Sequence, residues 1–223
     1  MSPRFVLVLA ICALGFVLVT TDALPALVDV VARGRRLSVD ADNPDGVTLT
    51  RVDDLVAQAA AVVGRPVDRD AYSLARVCRS EEGKLGQIAK NALCHVVMTQ
   101  ADALGWEITY TVLYHKTSSR SDHYGAQMSG RVASGVDPYE SDLAAAEHAM
   151  AERAAGLDPT SGATNFVDRR AFGVQDGTGS FAELVDTWAA DGKTPGTLPG
   201  ISEHLVFFWR GGGVPPQATP VTA

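Results

Sequence analysis

Apolar positions along the chain gather first into one unbroken block and then into periodic sets. Residues 5–19 (FVLVLAICALGFVLV) hold fifteen positions without a charge, preceded by Arg4 and followed by Thr20, Thr21 and Asp22. At about 1.5 Å per residue this run is shorter than a bilayer core of roughly 30 Å, which predicts a signal-peptide core before a spanning helix. Thr21 and Ala23 offer small residues for cleavage, while the apolar continuation through residues 23–32 leaves a retained anchor open. Residues 1–23 are read as a signal peptide or membrane anchor. Residues 24–47 are read as a linker, polar in its second half and carrying the turn residues Asn43, Pro44, Asp45 and Gly46.

Beyond the linker the period becomes helical. Thr50 with Asp53 three residues later has the form of a capping box, and Leu55, Ala59, Val62 and Val63 suit one helix face that ends at Gly64. Asp68 opens a second helix through Tyr72, Leu74, Ala75 and Cys78, and a third covers residues 85–104 with Ile88, Leu93, Val96, Val97 and Leu104 apolar. Residues 107–115 (EITYTVLYH) are β-branched and aromatic, so propensity predicts a strand, while their brevity between helical stretches leaves a short helix open. Residues 116–138 carry no period and read as a long loop. A helix over 139–155, stopped by Gly156, is the clearest of the chain. Another is predicted over 181–190, the run 204–209 (HLVFFW) reads as a strand, and residues 211–223 read as a disordered tail. One domain over 48–210 accounts for the rest.

Composition narrows the classes. An apolar fraction of 46%, a charged fraction of 20% and a mean hydropathy of +0.06 exclude a disordered chain. A net charge of -7 argues against a partner bound through its phosphates, so nucleic acid is not expected. Of the three cysteines, Cys12 lies in the N-terminal block and leaves Cys78 and Cys94 for the domain. Both flanks read as helix, and a bridge or two buried thiols remain open. Cys94 and His95 are neighbours on one helix and point about 100° apart.

Histidines stand at His95, His115, His123, His148 and His204 with no HExxH, no HxH and no pair four apart, so neither a metal nor a cofactor is expected. No GxSxG marks a serine nucleophile, and the glycines over 173–179 lack the lysine of a phosphate-binding loop. Carboxylate chemistry remains, with Glu81 at the end of a helix whose preceding turn is partly apolar. Such a setting disfavours the charged form and lets a carboxyl hold a proton near neutral pH, as a general acid for a glycosidic oxygen must. On composition alone, a solvated helix end is the favoured reading of Glu81.

Two stretches carry a resemblance. Residues 74–89 (LARVCRSEEGKLGQIA) resemble the first motif of the cell wall hydrolase family to which spore-cortex-lytic enzymes belong, in which a helix ends with a catalytic Glu and Gly-Gln opens the next. Residues 158–166 (DPTSGATNF) are similar to a second motif of that family, which lines the sugar groove. The resemblance implies a lysozyme-like α+β fold, mainly α with a small β portion. It implies Glu81 as the catalytic residue and Gln87, Thr160, Gly162, Ala163, Asn165 and Phe166 as substrate-binding. The activity implied is a peptidoglycan lytic transglycosylase or muramidase, exported to the cell envelope or periplasm. Its partners would be glycan strands and, if the N-terminal segment is uncleaved, the membrane.

Within the long polar loop, Tyr124, Gln127 and Arg131 are further candidates for binding sugar hydroxyls. A two-carboxylate hydrolase would need a partner for Glu81, for which Asp122, Asp137 and Glu140 are nominated. An alternative with the same fold is a non-catalytic cell-envelope or virion glycan-binding protein, since Met98-Thr99-Gln100-Ala101 stand where the family has Asn-Arg.

Overall fold

The computed structural model describes residues 49–82, 86–115, 138–171, 180–211 and 213–221. They form a mainly helical α+β arrangement, as expected. The helices are α1 (Leu49–Val63), α2 (Arg69–Glu82), α3 (Gln87–Leu104), α4 (Ile108–Tyr114), α5 (Glu140–Ala154) and α6 (Phe181–Ala190). The strands are β1 (Asn165–Asp168), β2 (Lys193–Thr197), β3 (Leu205–Arg210) and β4 (Thr219–Pro220). The N-terminal segment and linker lie outside the described residues, among which no helix is long and apolar enough to cross a membrane.

Helix α2 is the central element. Residues 71–78 have no exposed surface on any side, because α1, α3, α4 and α5 all pack on it. Its start is set by Asp68, whose Oδ1 accepts from the backbone N–H of Asp70 (2.8 Å) and Ala71 (3.0 Å), the cap read from the sequence. Helix α1 presents Val52, Leu55 and Ala59 to the core. It already includes Thr50 as its second residue, so the cap expected there falls inside the helix. Helix α3 stops at Gly105, where a φ of 66° lets Gly105 and Trp106 donate back to Asp102 and Ala101.

Residues 108–114 are helical, which decides between the two readings of that stretch. The reason is tertiary. Asp70 of α2 accepts from the Thr109 backbone N–H (2.8 Å) and hydroxyl (2.6 Å), so a neighbouring helix satisfies a first-turn donor of α4. Thr111 turns its hydroxyl to the carbonyl of Glu107 (3.0 Å), which absorbs another β-branched residue into the helix.

The sheet is antiparallel in the order β1-β3-β2-β4. Leu205, Phe207 and Trp209 of β3 enter the helical core, whereas Val206 and Phe208 pack with Val185 and Trp188 of α6 on the other face. A strand buried on both faces is why 204–209 reads as an unbroken apolar run. Helix α6 begins where expected, because Ser180 and Glu183 exchange a reciprocal pair of hydrogen bonds (3.2 and 2.7 Å).

The tail corrects an expectation. In place of disorder after Gly211, Val214 and Ala218 pack against the core and Thr219–Pro220 pair with Gly196 and Thr197 of β2. Gly196 admits them: a Cβ there would stand 2.5 Å from Val214 Cγ1 and 3.0 Å from the Thr219 carbonyl. Gly196→Ala is therefore expected to destabilise the fold by about 1–3 kcal/mol, the usual cost of overpacking, and to expose the tail to limited proteolysis. Gly86→Ala, where the added carbon meets nothing within 4 Å, is the control and should leave tail cleavage unchanged.

Candidate active site

Three helix ends meet around the segment that carries Glu81: the last turn of α2 and the first turns of α3 and α5. Three contacts tie them. The Arg79 guanidinium stacks over the Tyr139 ring with its carbon 4.6 Å from the ring centre. Gln87 Nε2, on the first residue of α3, donates to the Ser141 carbonyl (3.0 Å). Lys90 Nζ donates to Asp142 Oδ1, both groups almost wholly buried, while Asp142 Oδ2 accepts the Tyr139 backbone N–H (2.8 Å) and so starts α5. Glu140, nominated as a second carboxylate, is the first residue of α5 at the same junction.

The second motif is fastened further along α3. Asp158 Oδ1 accepts from the backbone and hydroxyl of Thr160 (2.8 and 2.7 Å), and its Oδ2 accepts from the Gly162 N–H (2.7 Å). The turn expected from Asp-Pro-Thr is thus held as its chemistry suggests. The fully buried His95 of α3 stands between two carboxylates, with Nε2 at 3.1 Å from Glu152 Oε2 and Nδ1 at 3.5 Å from Asp158 Oδ1. Asn91 Nδ2 also donates to Glu152 Oε2 (2.8 Å), and Gln100 Nε2 to the Thr164 carbonyl (2.6 Å). His95 lies eight residues beyond Gln87, about 12 Å along the helix. The two motifs therefore share α3 as one spine, one at its start and one along its middle.

These contacts set the charge states. Burial acts to raise the Asp158 carboxyl, but the bonds from the Thr160 hydroxyl and the Gly162 and Thr160 N–H groups, with His95 nearby, outweigh it and hold the carboxyl below its ordinary range. Glu152 is likewise lowered, with desolvation overcome by Asn91, His95 and His148.

Of the expected site residues, Glu81 lies in the last turn of α2, with its side chain outside the described residues, as are Tyr124, Gln127, Arg131, Asp122 and Asp137. Gln87 and Gly162 are exposed, and Asn165 and Phe166 are half-buried. Thr160 and Ala163 are wholly buried. The Thr160 hydroxyl is spent on Asp158 and its carbonyl accepts from Trp209 Nε1 (2.8 Å), so both residues shape the loop from inside rather than offer surface to a sugar. Sequence reasoning missed Lys90, Asp142 and the His95 network. Asn91 and His95, four apart and so on one face of α3, were the available signal. Comparison of the chain with models of protein families, with curated proteins and with solved structures finds no match.

Two outcomes are expected. Lys90→Met, which strands Asp142 as a lone buried charge, should cost about 3–5 kcal/mol. The Lys90→Met, Asp142→Leu pair should cost only about the 0.5–2 kcal/mol of the lost Tyr139 cap, a difference read by denaturant unfolding. Asp158 and Glu152 have folded-state pKa values below their unfolded ones, so their stabilisation is complete above the unfolded values near pH 4 and is lost as pH falls through the folded ones. Asp158→Ala should accordingly destabilise by about 1–3 kcal/mol at neutral pH and make unfolding less sensitive to acid, as thermal melts across that window would show.

Proposed function

We propose that this chain is an exported peptidoglycan-cleaving glycosidase of lytic transglycosylase or muramidase type, with Glu81 as its single general acid and base. The observation that supports it most is the junction itself: the helix carrying Glu81 ends where the starts of α3 and α5 are locked together by Gln87–Ser141 and Lys90–Asp142, and Arg79 on Tyr139 ties it there. A carboxyl in the last turn of a helix meets the negative end of the macrodipole, which favours the protonated form that an acid needs. The resemblance of residues 74–89 and 158–166 to the cell wall hydrolase motifs points to the same chemistry.

In the transglycosylase form, Glu81 gives its proton to the glycosidic oxygen as the bond from the muramic acid C1 to that oxygen breaks. The N-acetyl group of the same sugar stabilises the oxocarbenium-like centre. The Glu81 carboxylate then takes the proton of the 6-hydroxyl, whose oxygen bonds to C1 and leaves a 1,6-anhydro end with no water consumed. In the muramidase form water takes the place of the 6-hydroxyl, with Glu140 at the start of α5 as the nominated second carboxylate. Gln87, Gly162, Asn165 and Phe166 offer surface to the glycan, with Tyr124, Gln127 and Arg131 supplying partners for its hydroxyls. Residues 1–23 carry the protein out of the cytosol and, if retained, tether it to the membrane.

The test is turnover on purified cell wall. Glu81→Gln keeps shape and removes the titrating proton, so it should lose about 10²–10⁴ in rate, whereas Glu82→Gln should lose less than about tenfold. Wild-type activity should also fall as pH rises through roughly 6–7, where a protonated acid of raised pKa is lost. Full activity in Glu81→Gln, or equal losses at both positions, would remove Glu81 from the chemistry.

A further inference from the structure

Two thiols face each other between α2 and α3. Cys78 Sγ and Cys94 Sγ are 2.8 Å apart, both residues without exposed surface, and the Cys78 thiol also contacts the Lys90 carbonyl at 3.2 Å. That separation is shorter than the roughly 3.5–4.0 Å at which even carbon atoms pack, and sulfur is larger. The neighbouring His95 points elsewhere, into the Glu152 and Asp158 carboxylates, so it is not placed as the base that would activate either thiol as a nucleophile. Among the described residues no group of three or more His, Cys, Asp or Glu is arranged to hold a metal, so the thiols lack the companions of a zinc site.

We infer that Cys78 and Cys94 close into a disulfide that staples the last turns of α2 to the first turns of α3. The sulfurs need to approach by only about 0.8 Å to reach bonding distance, with the two helices already in place. The bond forms by exchange with an external disulfide, either a small molecule such as oxidised glutathione or the disulfide form of an oxidising thiol protein. One cysteine thiolate attacks that disulfide and expels one thiol, and the second thiolate then displaces the other. Two protein thiols and one external disulfide become one protein disulfide and two external thiols, with two protons passing to the products.

Timing follows from burial. Desolvation, then the hydrogen bond and charge of Cys94, pushes the Cys78 thiol well above its ordinary range, so the folded protein withholds the thiolate that exchange requires. The bond is made while the helices dock, and afterwards no reductant reaches it. It encloses residues 79–93, the segment containing both Glu81 and Gln87, and constrains that segment independently of the Lys90–Asp142 pair. The inference does not depend on glycan cleavage.

Full-length protein, reduced and unfolded and then refolded in mild detergent with oxidised glutathione, is alkylated with iodoacetamide in denaturant, digested without reductant and mapped by mass spectrometry. Cys12 should carry the alkyl group, and the peptides containing Cys78 and Cys94 should appear joined, lighter by two hydrogens than their sum. The link should survive reductant in the folded protein and break only when denaturant is added. The oxidised protein should melt about 5–12 °C above the reduced one, while a Cys78→Ala, Cys94→Ala protein should melt near the reduced form and ignore reductant. Recovery of Cys78 and Cys94 both alkylated after oxidative refolding, or joined to Cys12 instead, overturns the inference whether or not the variant folds.

Discussion

A lysine ammonium and an aspartate carboxylate buried against each other, Lys90 and Asp142, pin the start of α3 to the start of α5. Such a pair is not kept for stability, since removing two charges from water costs several kcal/mol per ion and an apolar pair of similar volume often does as well. Its value is positional. One oxygen of Asp142 holds Lys90 in the first turn of α3, and the other holds the backbone N–H of Tyr139 where α5 begins. Sliding either helix by a residue would leave a charge alone in the core, and that penalty fixes the register. The last turn of α2, with Arg79 on Tyr139, is locked to the same point and carries Glu81 with it.

The rest of the domain hangs from α3 by a second polar tie. His95 bonds Glu152 of α5 and stands 3.5 Å from Asp158, while Gln100 donates to the Thr164 carbonyl, so the loop 158–164 is held to the helix that begins at Gln87. Trp209 of β3 donates to Thr160 from the other side, which connects the sheet to that loop. Residues that resemble a sugar-lining motif thus serve two functions within one short stretch. Thr160 and Ala163 pack inward and make the loop rigid, and Gly162, Asn165 and Phe166 keep surface toward solvent.

Local signals were legible where local chemistry decides. Asp68 caps α2, and Gly64 and Gly156 follow helix ends with positive φ. Partners distant in sequence were not legible. The helix over 108–114 depends on Asp70 of another helix, so β-branched propensity alone could not settle it. The polar, glycine-rich composition after Gly211 suggested disorder because nothing local announces that Gly196 leaves room for Val214 and Thr219. Strands β1 and β2 are short and half-polar, and they exist because β3 offers them a buried partner. At the site, the helix-terminal place of Glu81 was readable. The pairing of Lys90 with Asp142, fifty-two residues apart, had no signature in one sequence.

The central claim is that this junction presents an acid to a glycosidic bond. It is tested most directly by incubating the purified full-length protein with isolated peptidoglycan and reading the released fragments by mass spectrometry. The account predicts soluble muropeptides ending in a 1,6-anhydro muramic acid or, in the hydrolytic variant of the mechanism, in a reducing sugar. Peptidoglycan left intact by a protein that is folded and binds it would contradict the claim and leave a glycan-binding protein of the same architecture.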